Sequence, residues 1–97
     1  MGKMEDFSKV IKVVTELTDV SDKDILGNSR IPEVVDARWM VIVLMKEKGY
    51  SSRQIALLML HPIRTINNAL NQFADRAKYS YNSLGCMLAL ARQQLKE

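Results

Sequence analysis

The residues best suited to recognising another molecule lie between Arg64 and Gln72, where Arg64, Thr65, Asn67, Asn68, Asn71 and Gln72 share one side of a helical repeat and the other side is apolar. An asparagine amide carries both an acceptor and a donor, so it can pair with two positions of adenine at once, and arginine can pair likewise with guanine. Asparagine is also a mediocre helix former, so Asn67, Asn68 and Asn71 call for a reason better than solubility, against the blander reading of a solvated face. Arg53, Arg76 and Lys78 flank this set as candidates for phosphate contacts, which fix register without reading sequence.

Other chemistry is sparse. His61 is the only histidine and Cys86 the only cysteine, which excludes an internal disulfide and a thiolate metal cluster. A lone histidine without neighbouring ligands reads as a turn or cap residue. No glycine-rich phosphate loop, no paired acids placed for a cleft and no nucleophile with a base partner stand out. The expectation is a protein that is not an enzyme, with no cofactor, metal or small-molecule substrate.

A helix must hold the recognition residues, and a core must hold that helix. The stretch Pro32 to Gly49 supplies the core, because Trp39 to Met45 is unbroken apolar sequence with polar ends. Val41, Ile42 and Val43 favour a strand, but the punctuation favours a helix: Pro32 at the first position, Glu33 and Asp36 in the first turn, Lys46 and Lys48 in the last, then Gly49. A helix apolar nearly all round is one that its neighbours surround, with Trp39 at the edge of the core.

Around it the chain reads as helices throughout. Phe7, Val10, Ile11, Val14 and Leu17 mark an amphipathic helix over about Glu5 to Thr18. Ser21 and Asp24 cap a short helix that Gly27 ends, and a loop to Pro32 carries Arg30. Ser51 and Gln54 make a capping box for a helix burying Ile55, Ala56, Leu58 and Met59, with its turn at Leu60 and His61. Pro62 then opens a helix whose apolar face is Ile63, Ile66, Leu70, Phe73 and Ala77. After Tyr79 to Ser83, Leu84, Met87, Leu88, Ala91 and Leu95 define the last helix. Its second apolar strip, Cys86 and Leu90, is either covered by Tyr79 or Tyr81 or is a contact for a protein partner or a homodimer. The fold class expected is all-α: one domain over residues 1–97, a compact bundle of about six helices.

A short capped helix, a tight turn and a longer helix with a polar outer face is the outline of a helix-turn-helix, here about residues 51–78. The first helix braces on the phosphate backbone, and the second, from Pro62 to about Tyr79, lies in the major groove. Small Ala56 lets the two approach and Ile66 fills the angle between them, although Leu60 or His61 stands where such turns usually have glycine.

Charge agrees with an anionic partner. The chain of 97 residues is 47% hydrophobic and 26% charged, with a net charge of +3. Residues through Lys48 hold eight bases and nine acids, whereas those from Gly49 hold six bases and two acids, Asp75 and Glu97. The longest apolar run, seven residues, is far short of a membrane span, and the first residues resemble neither a signal peptide nor a myristoylation site. Double-stranded DNA is therefore the expected partner, no membrane is expected, and the expected location is cytoplasmic.

Ser29-Arg30, then Glu33-Val-Val-Asp-Ala-Arg-Trp-Met40, an apolar helix, a Ser-capped helix with Ile55-Ala56, and Thr65-Ile66 with Ala69 beyond, together resemble the C-terminal DNA-binding domain of the bacterial replication initiator DnaA. The resemblance covers about Phe7 to Ala77 and implies a Trp-repressor-like helix-turn-helix serving replication or transcription. It implies that Arg30 enters a minor groove, that Arg38 matches the family's arginine near the start of the central helix and contacts DNA, and that Thr65 matches the second threonine of the family signature. Arg38 has a second reading as a structural pair with Asp36 or Glu33. The chain departs from the family where Ile31 and Pro32 replace further basic residues, and where Pro62, Ile63 and Arg64 replace the aspartate, histidine and first threonine. The family's own DNA box is therefore not implied. The other reading is a DnaA-like interaction module that has lost DNA binding.

Overall fold

The central helix expected from the apolar run is α3 (Pro32–Glu47) in the computed structural model, which describes residues 2–79 and 84–96, except the side chains of 74, 76–79 and 84. It is preceded by α1 (Lys3–Thr18) and α2 (Asp22–Leu26) and followed by α4 (Ser52–Met59), α5 (Ile63–Tyr79) and α6 (Leu84–Leu95). All five of these helices pack against α3, and α1 also packs on α6 and α4 on α5. The fold is an all-α bundle, with no strand among the described residues.

Why α3 sits at the centre follows from its sequence. Val34, Ala37, Met40, Val41, Ile42, Leu44 and Met45 are buried, while Trp39 and Val43 are half-buried. Phe7, Val10 and Val14 of α1, Ile25 of α2, Ile55 and Met59 of α4, Ile66, Ala69 and Phe73 of α5, and Leu88 and Ala91 of α6 complete the core. Each helix therefore has an apolar side turned towards one shared interior. Helix α1 begins two residues earlier than Glu5, and the short α2 is capped as expected, with Ser21 Oγ accepting from the Asp24 amide at 3.2 Å.

Two side-chain links tie the outer helices in place. Arg92 of α6 forks onto Glu47 at the end of α3, its Nε donating to Oε1 at 2.8 Å and to Oε2 at 3.1 Å. Tyr50, in the α3–α4 connection, donates its hydroxyl to Asp6 Oδ2 of α1 at 2.5 Å. This bond lowers the Asp6 pKa below its ordinary 3.8, helped by Lys48 and Lys9, and raises that of Tyr50 above its ordinary 10.0.

The link has opposite limits in pH. Because the folded Asp6 value is depressed, its contribution is complete above 3.8 and is lost as pH falls through the lowered value. Because the folded Tyr50 value is raised, its contribution is complete below 10.0 and is lost as pH rises through the raised value. Urea denaturation of wild type and Tyr50→Phe should show a stability difference that is flat between these limits and shrinks beyond both. A difference independent of pH would contradict the link.

Candidate nucleic-acid interface

Helix α4 is fixed at its start by a reciprocal cap: Gln54 donates its amide to Ser51 Oγ at 3.2 Å, and Ser51 donates its amide to Gln54 Oε1 at 2.9 Å. Its inner side buries Ile55, Ala56 and Met59, Leu58 is half-buried, and Arg53 and Leu57 face outwards. The chain then reverses at Leu60, whose φ of 58° and ψ of 37° are left-handed, and whose amide donates to the Ala56 carbonyl. The His61 amide reaches the same carbonyl at 3.2 Å, and Pro62 accepts from the amides of Thr65 at 3.0 Å and Ile66 at 3.3 Å as α5 begins.

Leucine fills a position that favours glycine, because its Cβ crowds the following carbonyl in a left-handed conformation. The side chain is 89% exposed, so little packing offsets that strain. Leu60→Gly should stabilise the protein by about 0.5 to 1 kcal/mol in urea denaturation, the relief of strain exceeding the glycine's added chain entropy. An unchanged or lower midpoint would count against a strained turn.

Helix α5 sorts its residues by side. Ile66, Ala69 and Phe73 are buried and Leu70 half-buried, while Arg64, Asn67, Asn68, Asn71, Gln72 and Asp75 are exposed and Thr65 half-exposed. Ile63 is 45% exposed, which corrects its assignment to the apolar face. At about 100° per residue it stands on the margin of the Ile66, Ala69, Phe73 stripe, and it is the first residue of the helix.

On the opposite side Arg64, Asn68 and Asn71 line up, with Asp75 continuing the row. At a rise of about 1.5 Å per residue, Arg64 to Asn71 covers roughly 10 Å, or about three base steps. Gln72 donates its amide to Asn68 Oδ1 at 2.6 Å, holding that side chain along the helix. The second lone pair of Oδ1 and the Asn68 amide group remain suited to reading a base edge. Between Gly49 and Ala74 the chain contains no acid, so Arg53 and Arg64 have no carboxylate nearby in sequence. Arg76 and Lys78, candidates for phosphate contacts, have side chains outside the described residues, as do Ala77, Tyr79, Tyr81 and Leu84.

The loop before α3 is held from beneath. Arg38 is 6% exposed, and its guanidinium donates Nε to the Ile25 carbonyl at 2.8 Å, Nη1 to Ser29 at 3.0 Å and Nη2 to Asp24 at 3.2 Å. Burial pulls its pKa below the ordinary arginine value. This corrects the reading of Arg38 as a residue that touches DNA, since its donors point at three backbone carbonyls beneath the surface. Arg38 is instead the residue that positions the α2–α3 loop, on which Arg30 is exposed.

His61 joins this loop to the turn: its Nε2 lies 3.3 Å from the Leu26 carbonyl at the end of α2. The end of α2, where the loop carrying Arg30 begins, thus meets the turn that leads into α5. On α6, Cys86 is exposed and Leu90 is 49% exposed, away from the buried Leu88 and Ala91.

Three features escaped the sequence reading. Arg38 follows Val34 by four residues and precedes Val41 and Met45 by three and seven, so helical spacing places it on the buried side of α3; that was the available signal. Gln72 stands four residues from Asn68, the spacing at which amides meet on a helix. Leu57 had the same kind of signal, since helical spacing turns it away from the Ile55, Ala56 and Met59 side of α4. Among the described residues no cluster of histidine, cysteine and acidic side chains could hold a metal, and no helix is long and apolar enough to cross a membrane. Comparison with protein-family models, curated proteins and solved structures gave no match.

Proposed function

We propose that the chain binds double-stranded DNA through a DnaA-like helix-turn-helix, with α4 braced on the phosphate backbone and α5 in the major groove. The observation that carries the reading is the exposed, acid-free row Arg64, Asn68 and Asn71 on a helix whose other side is anchored in the core. Arg64 reads guanine, Asn68 and Asn71 read adenine, and Thr65 and Asn67 contact the flanking bases or backbone. Arg53 and Arg30 meet phosphate, Arg30 at or in the adjacent minor groove. Asp75 sets the far limit of the contact, since a carboxylate there repels phosphate. Such a protein acts in the cytoplasm, in replication initiation or transcription regulation.

Fluorescence anisotropy with short duplexes at several salt concentrations tests this. Binding should weaken as salt rises, and Arg53→Ala or Arg30→Ala should weaken it on every sequence and flatten the log–log slope by about 1. Salt-independent anisotropy, or variants with the wild-type slope, would contradict the phosphate assignments.

A second reading, an interaction module without DNA binding, is favoured by the exposure of Cys86 and Leu90 on α6. It requires association that rises with concentration in sedimentation and disappears in Leu90→Glu with the fold intact.

A further inference from the structure

We propose that Ile31 is an apolar wedge, which inserts between two stacked base pairs from the minor groove side while Arg30 occupies the groove beside it. The proposal rests on the DNA-binding reading and adds a second means of recognition to it, the deformability of one base step.

Ile31 is 58% exposed, and its backbone holds it there. Its φ of −60° and ψ of 129° are those of an N-cap residue, its carbonyl accepts the Val35 amide at 2.9 Å, and its own amide donates to Ser29 Oγ at 3.3 Å. Pro32 follows with its φ fixed by the ring. Two residues earlier, the Ser29 carbonyl is held by Arg38. The side chain is thus displayed on a braced loop, so its exposure is not relieved by folding back onto the core.

The bracing itself needs a reason. A buried guanidinium loses hydration that its hydrogen bonds must replace. Here its three donors fix the carbonyls of Asp24, Ile25 and Ser29, which are the end of α2 and the base of this loop. What the braced loop presents outwards is Arg30, Ile31 and Pro32, all exposed. A cation beside isoleucine and proline is the chemistry of minor-groove binders that unstack a step: the cation is drawn to the groove's negative potential and the apolar side chain fills the opened gap.

Placement agrees. The His61 contact with the Leu26 carbonyl puts the start of the loop against the turn that leads into α5. With the N-terminal half of α5 in a major groove, a loop that starts beside that turn has the flanking backbone and the adjacent minor groove as its nearest surfaces, the place proposed above for Arg30. Pyrimidine–purine steps, which unstack most easily, are the expected point of entry.

The test uses the full chain and short duplexes in which 2-aminopurine replaces adenine at successive TA and CA steps, with end labels that report bending by energy transfer. Wild type should brighten 2-aminopurine at one step and bend the duplex. Ile31→Leu should retain both responses. Ile31→Ser should lose them while still binding in a salt-dependent way, with the free variant's amide spectrum showing an intact fold. A bound duplex with no brightened step in wild type, or equal brightening with Ile31→Ser, overturns the wedge and leaves the DNA reading standing. Failure to bind any duplex at low salt overturns both.

Discussion

Arg38→Ala should lower the unfolding free energy by roughly 3 kcal/mol, the largest effect expected of any single polar substitution in this chain. The Ile25 and Ser29 carbonyls lose their donor at once, and each unsatisfied buried acceptor costs about 1 to 3 kcal/mol. The Asp24 carbonyl adds little, because it keeps the Gly27 amide at 3.2 Å and belongs to an exposed residue. Arg38→Met separates packing from hydrogen bonding, since it keeps an apolar stem and removes every donor. Arg38→Lys should recover little, because one ammonium cannot span three carbonyls that a planar fork reaches together. Urea denaturation gives the magnitudes, and hydrogen exchange should show the amides of the α2–α3 loop losing protection first. A loss under about 1 kcal/mol in Arg38→Ala would mean that the carbonyls find other partners.

The second large effect concerns recognition. Arg64→Ala and Asn68→Ala should each remove about 1 to 3 kcal/mol of discrimination at one base pair, a five- to 150-fold change in relative affinity. The two losses should fall at different positions of the site, because the residues stand one helical turn apart on α5. Gln72→Ala should produce a weaker version of the Asn68 effect at the same base pair, since Gln72 holds the Asn68 carbonyl oxygen. Competition between base-substituted duplexes measures this. Equal losses on all sequences would assign Arg64 and Asn68 to phosphate, and no loss would remove them from the interface.

What was legible in the sequence depended on how far apart the interacting residues are. Helix α3 declared itself because Trp39 to Met45 and the Pro32, Lys46 and Gly49 punctuation are local. The capping box of α4 was equally clear, since Ser51 and Gln54 are three residues apart. The task of Arg38 was not clear, because the carbonyls it binds lie 9 to 14 residues away and a carbonyl has no identity in sequence. The turn was legible from its flanks, the Ser51 cap before it and Pro62 after it, and falls at Leu60 as expected; what leucine hides is the left-handed conformation, which it disfavours. Ile63 was misplaced because an apolar residue at the first position of a helix fits the periodic pattern without having a neighbour above it. The polar side of α5, by contrast, is where spacing predicted and where exposure leaves it.

The central claim is that α5 and the Arg30 loop form one DNA-binding surface, and an NMR titration of labelled protein tests it most directly. A short generic duplex and one bearing the initiator family's box would each be added at low and at moderate salt. The amides of Arg30, Arg53 and residues 63–72 should shift together and the shifts should weaken with salt, while a stronger response to one duplex would define the preference. If neither duplex moves those amides at low salt, the DNA-binding account is contradicted.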